Sequence, residues 1–325
     1  MKANLSRRNF LASSLLGAAA AGVAGRPVGA LAENTPASVP ASAGSLPKGK
    51  LGTLELSRLI LGTNIITHHV HSRRLNFVNN LERKYNTDEK VQETFALAQA
   101  HGVNTFMTHH DQKVMVLFRE FRDRRGGKMN WLVAPDPSES RKEADFKRSV
   151  EELVNLGVDA LYLHGATADP LVQKGNVAQV ARYVDIMKAT GLPAGVAAHD
   201  LKTVQACVAA KMPVDYWVKT FHHLNYPTAP RPEEIKGPTE EVPHGYWCSS
   251  PEETTAFMKT LPQPWIAYKV MAAGAIPPRD AFDYSYRNGA DFILAGMFDF
   301  EIAEDAEITR DVLARLGQRE RPWRG

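Results

Sequence analysis

The chain has 325 residues, 39 Lys and Arg against 36 Asp and Glu, 44% hydrophobic residues, 11 His and two Cys. Its first 32 residues hold Lys2, Arg7, Arg8 and Arg26 and no acid, so the formal charge of the remainder falls by four, from +3 to −1. No stretch of Lys and Arg interleaved with aromatics remains to track a phosphate backbone, which excludes nucleic acid as the expected partner and favours a small-molecule substrate.

In chain order, the first feature is Ser6-Arg7-Arg8-Asn9-Phe10-Leu11 at the head of the weakly apolar run Phe10–Gly25. It resembles the twin-arginine export signal, and Ala30-Leu31-Ala32 reads as an A-x-A cleavage site. The run falls short of the about 20 strongly apolar residues that a spanning helix needs. Residues 1–32 are therefore expected to be a signal peptide read by the twin-arginine translocase, leaving no stable membrane span after cleavage. The mature protein is expected in the periplasm or otherwise outside the cytoplasm; the alternative is an uncleaved anchor. Residues 33–49, rich in Pro, Ala and Ser, read as a disordered linker, and residues 50–325 have the length of one α/β barrel or two small domains.

Apolar runs of strand length then alternate with helical periods to the C-terminus. The first pair is Leu56–Asn64 and Thr87–Gly102, the helix capped by Asn86 with Glu89 behind it. Val103–His109 precedes Lys113–Arg125, and Met129–Pro135 precedes Ser138–Gly157. Ala160–Gly165 precedes Val177–Gly191, and Pro193–His199 precedes Leu201–Lys211. Tyr216–His222 precedes Pro251–Leu261, where Ser250, Pro251 and Glu253 read as a cap, a first-turn proline and a capping-box acid. Trp265–Met271 with Pro278–Asn288 and Ala290–Met297 with Glu301–Leu316 complete the set.

Eight strand–helix units predict a closed (β/α)8 TIM barrel, with a doubly wound open sheet as the competitor. The connections His68–Asn86 and His223–Ser249, after strands 1 and 6, are long and lie on the face that carries a barrel's active site. They hold Arg73, Arg74, Phe77, Tyr85, Tyr226, Tyr246 and Trp247, a set suited to covering a carbohydrate or to packing on the barrel rim or on a neighbouring subunit. Cys207 lies in a helical Ala/Val pattern and is expected to be a small core residue; Cys248 sits in a loop, and a core of this size needs no disulfide between them.

The opening Lys50–Thr63 resembles the start of aldo/keto reductases, where a hairpin plugs the barrel floor before a strand ending in Leu-Gly-Thr, here Leu61-Gly62-Thr63. Ala100–Phe106, Val158–His164 and Ile266–Gly274 extend the resemblance in order across nearly the whole mature chain. It implies a barrel with an N-terminal floor hairpin. The family's redox tetrad has an Asp on the second strand, a Tyr five residues on, a Lys ending the third strand and a His ending the fourth. Those positions here fall at Met107, at Gln112, at or beside Asp136, and at His164. A glutamine cannot protonate an alkoxide as a phenol does, and an aspartate raises a neighbouring acid's pKa. Near the ends of the last two strands, where the family holds the phosphates of NAD(P), stand Lys269 and then Phe298-Asp299-Phe300-Glu301 with Glu304 and Asp305, carboxylates that repel a 2′-phosphate.

Eight of the eleven histidines lie at or just past a strand end, the exceptions being His71, His101 and His244. Strand ends converge in a barrel. The set predicts a site with His109, Asp136, His164 and His199 as the ligand pool for a divalent metal such as Zn, Mn or Fe, or a metal-free acid/base site. The expected catalytic residues are His164, His199 and Asp136 as ligands or bases and Lys219 or Lys269 as the electrophilic stabiliser of an enolate. The leading expectation is an exported enzyme for elimination, isomerisation or hydrolysis of a sugar-like or carbonyl substrate. Its alternatives are an NAD(P)-dependent oxidoreductase in which His109 or His110 supplies the proton, and a non-catalytic ligand-binding barrel.

Replacing Arg7 and Arg8 together by Lys is expected to trap folded precursor in the cytoplasm, because the pair is the export address. Cell fractionation reads this directly; undiminished export withdraws the assignment.

Overall fold

The computed structural model of the chain describes residues 44–69, 71, 75–136, 142–234 and 248–325. The expected signal peptide, residues 33–43 of the linker, Arg73, Arg74, His244, Tyr246, Trp247 and residues 138–141 of one expected helix lie outside them. The described chain opens with an antiparallel pair, β1 (Lys48–Leu51) and β2 (Leu54–Ser57), joined through Gly52 at φ 62°. Glycine takes that left-handed conformation without steric cost. The pair begins at Lys48, within the stretch expected to be linker, because Lys48 is already in register with Ser57. Leu51 and Leu56 are completely buried and plug the barrel floor.

Eight parallel strands close on themselves: β3 (Leu59–Gly62), β4 (Thr105–Thr108), β5 (Asn130–Val133), β6 (Ala160–Leu163), β7 (Ala194–Ala198), β8 (Tyr216–Thr220), β9 (Trp265–Tyr268) and β10 (Phe292–Ala295). The closing pair β10–β3 sets Ile293 against Leu59. Alternation along the strands sorts side chains into two cores. Ile60, Met107, Tyr162, Tyr216, Val218 and Ile266 fill the interior, whereas Leu59, Phe106, Trp131, Leu161, Trp217 and Trp265 meet the helices outside.

The described helices are α1 (Asn76–Tyr85), α2 (Asp88–Ala100), α3 (Gln112–Arg124), α4 (Glu143–Asn155), α5 (Gly165–Gln173), α6 (Val177–Lys188), α7 (Leu201–Ala209), α8 (Pro251–Lys259), α9 (Pro278–Arg287) and α10 (Ile302–Arg315). α1 and α5 were not among the sequence expectations. α1 lies inside the long first connection, and α5 begins with Gly165 and contains Pro170, both of which read as loop signals. The cap of α2 is Thr87, which accepts from Lys90 N–H at 3.3 Å, while Asn86 instead donates to Ile65 O at 2.9 Å. Ser250 makes no side-chain cap bond. No helix among the described residues is long and apolar enough to cross a membrane. Cys207 and Cys248 are free and buried.

Beyond α10 the tail returns under the barrel. Arg321 is wholly buried and donates to Asp291 at 2.6 Å and to the carbonyls of Gly289 and Gln263 at 3.0 and 2.8 Å. Asp291 also accepts from Trp265 N–H at 2.9 Å, the start of the neighbouring strand, and from Arg324 N–H at 2.9 Å. The rings of Trp323 and the guanidinium groups of Arg58 and Arg319 stack, at 4.0 and 3.4 Å. One carboxylate thus ties two barrel strands to the chain's last residues. Asp291→Ala strands Arg321 without its counter-charge and is expected to cost about 3–5 kcal/mol, measured by urea unfolding. A loss below about 1 kcal/mol would show that the clamp is redundant.

Candidate functional site

The turns that end the strands place their polar residues in two ways. Asp111 and Asp200, each preceded by a histidine, cap α3 and α7, accepting from Val114 N–H and Lys202 N–H, both at 3.0 Å. These acids are consumed by the strand-to-helix turn. Three histidines at the strand ends instead share the inward parity of their strands: His109 lies two residues after Met107, His164 two after Tyr162 and His199 two after Ala197, and all three of those earlier residues belong to the interior core.

The result is a wall of imidazoles around the mouth. The His69 and His109 rings meet edge to face at 5.4 Å, and His109 and His164 at 6.1 Å. His199 lies 5.5 Å from the ring of Tyr268, the inward-facing last residue of β9. His71 Nε2 faces two donors, Asn64 Nδ2 and Lys269 Nζ, each at 3.1 Å, so its proton sits on Nδ1. Lys269 itself has φ 57°, with Ala272 and Ala273 also left-handed at 47° and 56°. Non-glycine residues adopt that conformation at a cost and collect at functional sites.

His199 is held by an acid that the sequence reading did not single out. Asp169, buried on α5, accepts from both the backbone N–H and Nδ1 of His199 through Oδ2, at 2.8 Å each. This fixes the proton on Nδ1 and makes Nε2 the basic atom of the ring. His164 caps α5 by accepting Ala166 N–H on Nδ1 at 3.1 Å, so its neutral ring donates from Nε2. Burial, helped by neighbouring imidazoles and Lys269, holds the imidazoles neutral: His109 is lowered to about 4, His164 to about 3, His71 to about 2, and His199 well below the ordinary value. Burial raises Asp169 to about 6.

Of the expected residues, His109, His164, His199 and Lys269 gather in this mouth, and two do not. Asp136 pairs with His110 across 3.8 Å, and its backbone N–H donates to Ser149 Oγ at 3.0 Å. Lys219 alternates with Trp217 of the outer core and donates to the carbonyls of His199 and Thr220, at 2.7 and 2.9 Å. It braces the backbone beneath His199 and does not present its ammonium to substrate. The expected metal set is corrected accordingly. Among the described residues no three His, Cys, Asp or Glu converge as a metal-binding group: Asp136 pairs with His110, and His164 has its Nδ1 lone pair on the Ala166 N–H and its proton on Nε2. Asp169, Tyr268, His69 and His71 complete the mouth. Asp169 carried no usable signal, being inside an unrecognised helix; Tyr268 was legible as an inward strand end.

His222 is fully engaged elsewhere, with Nδ1 on His223 O at 2.9 Å and Nε2 accepting Cys248 N–H at 2.7 Å. His223 contacts Asp280 at 3.2 Å. Of the aromatics expected to cover substrate, Tyr85 and Tyr226 pack on the rim, while Phe77 on α1 is exposed. Tyr85 donates to Asp299 at 2.6 Å and sits edge-on to Phe298 and Phe300, and Tyr226 contacts His222 and His223.

No protein-family model and no curated protein matches the chain. Among solved structures, aldo-keto reductases recur. A Pseudomonas aeruginosa protein assigned as an aldo-keto reductase shares 18% identity over 82% of this chain and 95% of its own, with a TM-score of 0.55. A mutant of the protein Gox0644 in complex with NADPH shares 10% over 86% and 96%, at 0.54. A truncated 3-deoxy-D-arabino-heptulosonate 7-phosphate synthase of Thermotoga maritima shares 11% over 85% and 95%, at 0.51. The chain therefore has an aldo-keto-reductase-like (β/α)8 barrel. The synthase, a barrel of comparable likeness, illustrates that such a scaffold does not choose the chemistry.

The neutral imidazoles give a pH signature. A His whose folded pKa lies below its unfolded value of about 6.5 binds its proton more readily in the unfolded chain, so the fold loses stability as pH falls below that value. Asp169, and Glu82 and Asp305 raised to about 7 by burial, act in the opposite sense. His164→Gln deletes one imidazole and leaves those carboxyls, so the stability lost between pH 7.5 and 5 is expected to shrink by at most about 2 kcal/mol. Urea unfolding at the two pH values measures the difference; an unaltered pH dependence contradicts the neutral assignment.

Proposed function

We propose that the mouth is the active site of an exported enzyme that moves protons on a small carbonyl- or hydroxyl-bearing substrate, a sugar derivative being the preferred class, in isomerisation, elimination or hydrolysis. The observation that carries this reading is the Asp169–His199 pair. A buried carboxylate that fixes an imidazole tautomer turns the other ring nitrogen into an oriented general base, and the low pKa of His199 keeps it unprotonated at neutral pH. Lys269 supplies a positive charge where an enolate oxygen would develop, and His164 Nε2–H a neutral hydrogen bond. Lys219 positions His199 through its carbonyl.

A second reading, nicotinamide-dependent carbonyl reduction, draws on the aldo-keto-reductase likeness and on the NADPH complex among the similar structures. The residues after β10 fit a dinucleotide poorly. Asp299 is bonded to Tyr85 and Lys90, Phe298 N–H is already given to Glu301, and Glu304 and Asp305 follow. His109 or His110 would have to supply the proton, and His109 is held neutral by burial.

Asp169→Asn tests the reading, because the amide N–H pushes the His199 proton from Nδ1 to Nε2 and removes the base. Incorporation of deuterium from D2O at carbon in dihydroxyacetone and D-glyceraldehyde, followed by NMR, is expected to fall about 100- to 10,000-fold with the melting temperature nearly unchanged. Equal exchange by the variant withdraws His199 as the base. NADPH oxidation by the wild type with the same carbonyls, absent any exchange, favours the second reading.

A further inference from the structure

We infer that Tyr268 is a catalytic acid of this site, delivering the proton to substrate oxygen that His199 cannot, and that Gly165 is the residue that keeps the space for it. The inference rests on the acid–base reading above and adds the group that handles the oxygen. Tyr268 ends β9 on the inner face, in step with Ile266 of the interior core, so its ring rises from the barrel into the mouth. Its ring lies 5.5 Å from that of His199, and Lys269 Nζ stands 5.7 Å from its centroid. The phenol is thereby set between an oriented imidazole base and an ammonium group.

The first residue of α5 supports the same placement from the other side. A Cβ built on Gly165 would lie 2.8 Å from both Cε1 and Nδ1 of His199 and 3.3 Å from Tyr268 Oη. Contacts under 3.0 Å are essentially absent from real structures, and here the obstructed atoms belong to a ring fixed by Asp169. Gly165 has no left-handed φ that would require glycine. Its constraint is space alone: three elements, β7, β9 and the start of α5, bring His199, the Tyr268 phenol and a missing side chain to one point. Gly165 is thus a positioning residue.

The chemistry balances without any co-reactant. His199 Nε2 takes the proton from the carbon next to a carbonyl; the C–H pair becomes the new C=C bond, the C=O π pair moves to oxygen, and Tyr268 O–H protonates that oxygen. In an α-hydroxy carbonyl the resulting enediol is neutral. Tyr268 phenolate then accepts the proton of the neighbouring hydroxyl, whose oxygen becomes the new carbonyl, and the His199 imidazolium returns its proton to the first carbonyl carbon. The net change is an aldose–ketose type shift, with no oxidant consumed. Lys269 beside the ring stabilises the transient phenolate.

The test uses the full chain and deuterium exchange from D2O into dihydroxyacetone and D-glyceraldehyde, with kcat, KM and a pH profile. Tyr268→Phe is expected to lower kcat about 100-fold or more, to leave KM within about threefold, and to abolish the alkaline limb of the profile. Replacing Tyr268 by 3-fluorotyrosine, which is nearly isosteric and more acidic, is expected to move that limb to lower pH, a change that a merely structural ring would not produce. Gly165→Ala is expected to lower kcat in a protein whose melting temperature stays within a few degrees. Should Tyr268→Phe fail to fold, the fluorotyrosine shift decides. Wild-type exchange that survives Tyr268→Phe, or a pH profile blind to fluorination, overturns the role of Tyr268 while leaving His199 as base. Wild-type protein that exchanges neither probe overturns the acid–base reading and this inference together.

Discussion

Closure of β10 onto β3 is the constraint from which the rest of the molecule follows. Once eight strands of four or five residues share one cylinder, every second side chain is committed to the interior or to the helix layer, and the C-terminal ends of all strands face the same small volume. The interior holds Met107, Tyr162, Tyr216 and Phe292 and leaves the next inward positions, His109, His164, His199 and Tyr268, to form the mouth. At the opposite end the hairpin and the Asp291–Arg321 clamp seal the floor. Stability and chemistry are separated by the height of one strand.

Desolvation sets the character of that mouth. Several imidazoles and a lysine share a space mostly hidden from water, and the imidazoles respond by staying neutral. Neutral rings have one donor and one acceptor each, so their roles are decided by which nitrogen the fold occupies. Helix α5 does this twice within five residues, by the Ala166 N–H on His164 and by Asp169 on His199. It converts two residues of one type into a donor and a base. The same helix begins with the glycine that lets a phenol approach.

Polar residues at the strand ends serve the fold and the site side by side. Asp111 and Asp200 are helix caps, Asp136 pairs with the half-buried His110, His222 accepts the Cys248 N–H, and Lys219 braces carbonyls from the outer face. Their chemistry resembles that of the site residues beside them, and only the parity of the strand and the direction of the turn distinguish the two groups. This is why a divalent-metal set assembled from residue types and spacing does not come together in space.

The alternation of apolar runs and helical periods was sufficient to determine the barrel and to place His109, His164, His199 and Lys269 at its strand ends, because period and succession are local properties that a linear chain displays. Inward parity is also local: it puts His109, in step with Met107, on the inner side and His110 off it, and it put Tyr268 within reach of the same reasoning. The remaining features depended on distance through space. Asp169 lies thirty residues before His199 in a helix that Gly165 and Pro170 disguise as a loop. Gly165 matters for what its missing side chain would strike on two other strands, and Lys219 and Asp136 take partners that no spacing rule selects. A sequence specifies which groups stand at the rim; only the packing of α5 against β7 and β9 decides which nitrogen, which oxygen and which empty volume face one another.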